Sequence, residues 1–353
     1  MGIFSKKEQS SALIGTAAAV IIIAGVMAAQ SVIIPILLAV FISIISAQPV
    51  MWMEKRKVPS ALAILIVLLV IVLFFFLFGG VIGNSLARFS QNAPQYENRL
   101  STVFINIIDG LNTLGFNLSG QQFLEMIDPG KILNFTAGAV SEIGSIMSDS
   151  FLILLISVFM LSELKSFWVK AEIIEKQQNQ SLKHLDEIGK SIRHYLTMKT
   201  WISLATGVFI AVWLLIVGVD YPILWGLIAF LLNYIPNIGS IIAAVPTMLL
   251  ALIQLGPGGM FWTALGYLIV NLVMGNIVEP KVMGKGLGLS TLVVFLSLII
   301  WGFVFGSVGM FLSIPLTMSI KIMLAQNEKT KWVAVLLGTE ENATSILEGN
   351  SKV

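Results

Sequence analysis

The sequence predicts an all-α, polytopic integral membrane protein of about eight transmembrane segments, with broken or re-entrant helices in its C-terminal half. Three observations lead there. Of the 353 residues, 57% are hydrophobic and only 11% charged. Soluble globular chains carry about 25% charged residues, so water is the wrong solvent for most of this surface. Several uncharged apolar runs approach or reach the roughly 20 residues that a helix needs to cross the hydrocarbon layer. Two runs in the C-terminal half, Pro222–Leu255 and Ser290–Met323, exceed one crossing and are interrupted by Gly, Pro and Asn.

Taken in order, residues 1–87 supply three membrane helices. Ala12–Ala29 carries no charge, and Ser31–Pro49 begins almost at once, so a tight hairpin is expected between them. A cleavable leader ending near Val26-Met27-Ala28 is the alternative for the first run, and the immediate start of the second argues against it. Ser60–Gly83 is the third span. Residues 88–149 are polar yet patterned. Phe89, Leu100, Val103, Phe104, Ile107, Ile108, Leu111 and Leu114 recur largely at helical spacing, and Asp128 before Pro129 makes a helix start.

Residues 150–219 hold a fourth span around Phe151–Leu161 and a fifth at Trp201–Val219. Between them, over 165–200, Leu182, Leu185, Ile188, Ile192 and Leu196 form the apolar stripe of an amphipathic helix. That stripe fits a partner subunit or the membrane surface, and equally the protein itself. Residues 220–325 form a C-terminal core, in which Gly258–Val278 is about one span long between the two interrupted runs. Residues 326–353 are a mostly polar tail with one apolar patch, Trp332–Leu337.

Basic residues set the expected orientation, because cytoplasmic loops are enriched in Lys and Arg. Lys6 and Lys7 precede the first span, Lys55, Arg56 and Lys57 follow the second, and seven basic residues lie in Lys165–Lys199. Residues 88–149 hold only Arg88, Arg99 and Lys131 against six acidic residues. The N-terminus, the 50–59 loop and the 165–200 segment are therefore expected in the cytoplasm, with 88–149 on the outer side. An even number of crossings returns the C-terminus to the cytoplasm, beside Lys321, Lys329 and Lys331.

Several classes of chemistry drop out. There is no cysteine, so thiolate metal sites and cysteine nucleophiles are excluded. His184 and His194 alone do not make a multi-histidine metal site. No Ser-His-Asp grouping, His-Glu-x-x-His or nucleotide fingerprint occurs, so no catalytic residue, cofactor or enzyme activity is expected. A net charge of +2 without a dense basic run gives no nucleic-acid footprint. Asn134-Phe135-Thr136 and Asn342-Ala343-Thr344 match a glycosylation pattern and read as chance.

Two regions abandon the plain apolar helix. In Leu232–Ser240, Pro236 removes a backbone donor and Gly239 loosens the chain. Asn233, Asn237 and Ser240 add polar groups there. Broken backbone at membrane depth persists only in a packed or wet setting, and transporters use it to hold solutes. A plain turn at the membrane surface is the competing reading. The second region runs through Asn271, Asn276, Glu279, Pro280, Lys281, Gly284, Gly286 and Gly288. Residues 200–327 contain five charged groups, and Glu279, Lys281 and Lys285 fall within seven residues. An ionisable group inside a membrane is costly and usually functional, which singles out Glu279 for proton or cation coupling. An exposed loop with ordinary charges is the alternative. Gly302 and Gly306, one turn apart, suit close helix packing, with a hinge or hairpin tip as the other reading.

Gly226–Ser240 and Gly275–Ser290, with their Pro-Asn-x-Gly and Glu-Pro-x-x-Met-Gly patterns, resemble the autoinducer-2 exporter family. Pro35–Ala39 and Val58-Pro59 extend the likeness loosely to the N-terminal half. The resemblance implies a secondary transporter of the bacterial inner membrane, exporting the small polar quorum-sensing signal autoinducer-2 by alternating access. It also implies sodium or lithium/proton antiport in other branches, and a homo-oligomer with a pentamer as the candidate assembly. It marks Asn233, Pro236, Asn237, Gly239, Glu279, Pro280 and Gly284 as motif positions. A membrane scaffold without transport is the remaining class, resting on the two amphipathic segments.

Overall fold

The computed structural model describes residues 6–113, 138, 150–178, 183–236, 238–283 and 288–340. These are helices joined by short turns, and no strand occurs among them. The chain forms two compact units, one of Met1–Gln48, Leu152–Ile188 and Gly288–Val353, the other of Pro49–Phe151 and Gly189–Leu287. Among the described residues, five helical stretches are long and apolar enough to cross a membrane: Gln30–Lys55, Ser60–Phe89, Ile188–Val217, Ile238–Val282 and Thr291–Ala325. Their outward faces carry large apolar side chains such as Leu69, Phe76, Ile216 and Phe303, which suits lipid as the surrounding solvent.

In the first unit, α1 (Lys6–Ala28) and α2 (Gln30–Lys55) are separated by Ala29 alone. Ala29 N–H donates to the Gly25 carbonyl at 3.1 Å and Ile33 N–H to that of Ala29 at 3.0 Å. The expected tight hairpin is therefore corrected to a helix that carries on in register, since Ala28-Ala29-Gln30 offers no Gly or Pro to turn the chain. α2 packs on α4 (Ser150–Gln178) where side chains are small. Ala39 and Ser157 are buried, and Ser157 Oγ donates to the Ile153 carbonyl at 2.7 Å and that of Ala39 at 3.4 Å. α4 extends the short fourth span well into the polar segment.

α9 (Thr291–Ala325) is not one straight rod. Gly306 has φ 64° and ψ −146°, a backbone state that L side chains rarely adopt. Trp301 Nε1 donates to Thr317 Oγ1 at 3.0 Å. Sixteen residues of straight helix would separate them by roughly 24 Å, so the chain reverses at Gly306. The reversal frees carbonyls, and the Gln30 side chain donates to one of them, that of Val304. Gly306 is thus a hairpin tip, while Gly302 is a packing position, where an added Cβ would stand 2.8 Å from Met310 Cγ. The leg before Gly306 is 15 residues, roughly 22 Å, short of the ~30 Å hydrocarbon layer. The short α10 (Lys331–Leu336) docks beside the start of α9, with Ser290 N–H on the Leu337 carbonyl at 3.1 Å.

In the second unit, α3 (Ser60–Thr113) runs 54 residues without interruption. The third span and the start of the polar 88–149 segment are one helix of roughly 80 Å. Pro94 lies inside it without ending it. Of the predicted apolar stripe, Phe89 and Ile108 are buried; Leu114, Asp128 and Pro129 lie outside the described residues. α5 (Lys183–Val217) likewise merges the amphipathic segment with the fifth span. Ile192 and Leu196 are buried within the protein, so that part of the stripe packs on its own chain. α5 ends at Gly218, φ 87°, with Val219 N–H returning to the Leu214 carbonyl at 3.0 Å, a left-handed glycine cap.

α6 (Pro222–Leu232) follows, begun by Tyr221 in the left-handed region, φ 59°, and Pro222. After a turn comes α7 (Ile238–Asn271), which folds back at Gly256, φ 73° and ψ −167°. Thr247 Oγ1 and the Tyr267 hydroxyl meet at 3.0 Å across its two legs, although a straight helix would hold them roughly 30 Å apart. A π-helix (Leu272–Val278) and α8 (Glu279–Met283) complete the unit. The core around Ile210, Leu214, Trp225, Ile228, Leu250 and Ala251 sits among α5, α6 and α7, joined by Phe78 and Phe89 of α3.

Candidate functional site

The turn between α6 and α7 is built by Leu232–Gly239. Asn233 caps α6, its N–H bonded to the Ala229 carbonyl at 2.9 Å. Ile235 N–H bonds the Leu232 carbonyl at 2.8 Å. Pro236 then forbids further helix, and Gly239 lets α7 restart hard against the end of α6: a Cβ there would lie 1.8 Å from the Leu232 oxygen. Pro236 and Gly239 thus shape the turn.

α5 presents a polar stripe to this turn. Asn233 Nδ2 donates to Ser203 Oγ at 2.9 Å. The Tyr234 hydroxyl donates to Thr200 Oγ1 at 2.7 Å. Ser203 is fully buried. α5 and α6 approach closely because Gly207 faces Gly226, where a Cβ on either would stand 2.6 Å from the other's carbonyl oxygen.

A small cavity opens beside this contact. Thr206, Asn233, Ser240, Tyr267 and Asn271 supply its polar groups, and Ile210, Ala229, Val270 and Met274 its apolar wall. It comprises about 290 Å³ of non-atom space, part of it open to the outside, and the enclosed part has room for about one water molecule. Three residues singled out from the sequence, Asn233, Ser240 and Asn271, are brought together here from the end of α6 and the two legs of α7.

Glu279 stands at the end of the π-helix that follows Asn271. Its Oε1 lies 2.6 Å from Lys199 Nζ, and Lys199 is 3% exposed against 23% for Glu279. Tyr195, one turn before Lys199, is buried, and its hydroxyl has no hydrogen-bond partner among the described residues; it lies within electrostatic reach of Glu279 and Tyr234. A charge pair this dry holds its geometry firmly, because removing one partner strands the other. A π-helical turn is an uncommon element, frequent at functional sites.

The other sequence candidates are not gathered here. Asn276, Pro280 and Lys281 are exposed. Gly288 belongs to the first unit, has φ 59°, and its carbonyl accepts from Lys321 Nζ at 2.6 Å. Asn237, Gly284, Lys285 and Gly286 lie outside the described residues. Sequence reasoning missed Tyr195, Lys199, Ser203, Thr206 and Tyr267. Lys199 had been grouped with the basic cytoplasmic stretch. The missed signal was polar residues at 195, 199, 203 and 206, one face of a helix entering an apolar span. Among the described residues no His, Asp or Glu grouping could hold a metal ion.

Comparison with known proteins then gives the chain its relatives. The sequence model described as AI-2E family transporter matches residues 17–329. A Haemophilus influenzae protein, provisionally designated a transport protein, is 42% identical over 336 residues, covering 94% of this chain and 97% of that one. The Escherichia coli AI-2 transport protein TqsA is 39% identical over 313 residues, 88% of this chain and 90% of its own. Escherichia coli YhhT, also provisionally a transport protein, is 36% identical over 311 residues, 88% and 89% of the two chains. These names point to transport rather than to an enzyme. The chain belongs to the AI-2E transporter family.

Proposed function

We propose that this chain exports a small polar signalling molecule, autoinducer-2 in the first instance, across the bacterial inner membrane by alternating access. The observation that carries the reading is the cavity where Thr206, Asn233, Ser240, Tyr267 and Asn271 converge beside a broken helix. A polyhydroxylated solute needs several donors and acceptors in a dry setting, and these hydroxyls and amides offer both. Its small enclosed volume makes this conformation one that must open to admit a solute. The identity to TqsA over most of both chains supports the substrate. In this reading 220–325 is the transport core, both termini face the cytoplasm, and the chain works as a homo-oligomer, a pentamer being the candidate.

Uptake of labelled autoinducer-2 into inside-out vesicles tests it. Asn233→Ala and Asn271→Ala should each lower flux about tenfold, on the scale of losing one hydrogen bond to the solute. Wild-type protein with no flux above empty vesicles rules out the substrate; unchanged flux in both variants rules out the cavity.

A second reading, a sodium or lithium/proton antiporter, is favoured by the Lys199–Glu279 pair, since a proton or metal cation could compete with the ammonium for the carboxylate. Cation-driven pH changes in the same vesicles separate the two.

A further inference from the structure

The cavity lies between two polar clusters, one at the middle of α5 and the other just past its C-terminal end. On α5, Thr206 lies seven residues after Lys199, and Ile210 lies seven before the helix end at Val217. At 1.5 Å per residue each interval is roughly 10 Å. Lys199 and Val217 are then roughly 27 Å apart, close to the ~30 Å hydrocarbon thickness. Measured along α5, the cavity lies about midway between the two clusters.

At one end is the Lys199–Glu279 pair. It ties α5 to the end of the π-helix, and that element together with the residue before it, Asn271, lines the cavity through Asn271 and Met274. At the other end is Asp220, just past the α5 cap. The Tyr96 hydroxyl of α3 donates to Asp220 Oδ2 at 3.0 Å. Gln254 Nε2 also donates to Asp220, and Asp220 N–H donates back to Gln254 Oε1 at 2.9 Å. Asn92 Nδ2 donates to the Tyr221 hydroxyl at 3.3 Å. Gln254 sits two residues before the Gly256 tip of the α7 hairpin, and Tyr267 on its second leg lines the cavity. The side-chain partners of Asp220 among the described residues are uncharged donors, so this knot joins three elements through directional bonds without an ion pair.

We propose that these clusters are the two gates of the cavity: Lys199–Glu279 closes it towards one membrane face, and Tyr96–Asp220–Gln254 closes it towards the other. Lys199, Tyr96, Asp220 and Gln254 are then positioning residues, acting on solute only through the walls they hold. Opening one gate frees the π-helix from α5; opening the other frees the hairpin tip from α3 and the α5–α6 corner. The gates rest on the cavity being the solute path, but they can be tested with no solute present.

The chain has no cysteine, so Met274→Cys, in the cavity wall, creates a single thiol. Its labelling by a membrane-impermeant cationic thiol reagent is followed in right-side-out and inside-out vesicles, with thermal unfolding measured on the same samples. In the parent the thiol should react slowly from both faces. Glu279→Gln should speed labelling about tenfold or more from one face only, since breaking one partner of a buried pair destabilises the closed arrangement. Tyr96→Phe with Asp220→Asn should do so from the opposite face only. Neither change accelerating labelling, or either accelerating it equally from both faces at an unchanged melting temperature, overturns the proposal. If Glu279→Gln melts early, the charge exchange Lys199→Glu with Glu279→Lys carries the test: slow labelling supports the gate, and fast labelling overturns it. A wrong substrate assignment abolishes autoinducer-2 flux and leaves this labelling pattern intact, so the two failures are distinguishable.

Discussion

A β-carbon on Gly239 would stand 1.8 Å from the carbonyl oxygen of Leu232. The obstacle is backbone, which cannot rotate aside as a side chain would. Gly239→Ala should therefore exceed the usual overpacking penalty, costing roughly 3 kcal/mol or more, and lower the melting temperature in detergent. Gly83→Ala is the opposite case. Gly83 is helical with nothing within 4 Å of an added Cβ, and alanine should stabilise it by about 0.5–1 kcal/mol.

Gly266 accommodates an indole. A Cβ there would lie 2.1 Å from Trp213 Cδ1 and Nε1, and Trp213 Nε1 donates to the Trp262 carbonyl at 2.9 Å. Gly266→Ala should displace the ring, break that bond and cost roughly 1–3 kcal/mol. A changed tryptophan emission that Trp213→Phe removes would confirm which ring moved; an unchanged spectrum and melt would contradict the packing.

Gln30 holds a carbonyl that its own helix no longer uses. Its amide donates to Val304 O beside the Gly306 reversal. Gln30→Ala should cost about 1–3 kcal/mol, the price of a buried acceptor left without a donor. Gln30→Glu should be worse, since its carboxylate would face a carbonyl oxygen. Thermal melts of the three proteins give the ranking.

Tyr96 should make the protein alkali-sensitive. Burial, then the hydrogen bond with Tyr221, pushes its phenol well above the ordinary tyrosine value, against a smaller lowering from Gln254. The folded state thus keeps a proton that the unfolded chain releases near pH 10. This contribution is complete below pH 10 and declines as pH rises beyond it towards the folded value. Tyr96→Phe should lower stability at neutral pH and flatten the alkaline decline. Parallel pH–stability curves for the two proteins would be the contrary result.

How far the sequence alone reaches depends on contrast. The all-α membrane fold was legible because uncharged runs have no other stable solvent. Asn233, Ser240 and Asn271 were visible because polar side chains stand out in apolar stretches. Lys199 was not, because it follows a basic segment, and neighbouring charges hid the one that folds inward. Gly306 was also ambiguous, since a helical period looks the same whether a glycine packs or turns. Only a contact distant in sequence, Trp301 with Thr317, separates the two cases. The long reach of α3 was hidden by polarity, because a helix leaving the membrane changes its side chains but not its backbone.

That 54-residue α3 is also a lever. Asn92 and Tyr96 fasten it about two thirds of the way along to the α5–α6 corner, which serves as a fulcrum. Some 17 residues lie beyond Tyr96, roughly 25 Å of rod. A tilt of ten degrees about that point sweeps the far end through roughly 4 Å. Rotations of the rod within the bilayer are thereby transmitted outside it, where a fluorophore near Asn112 would register them.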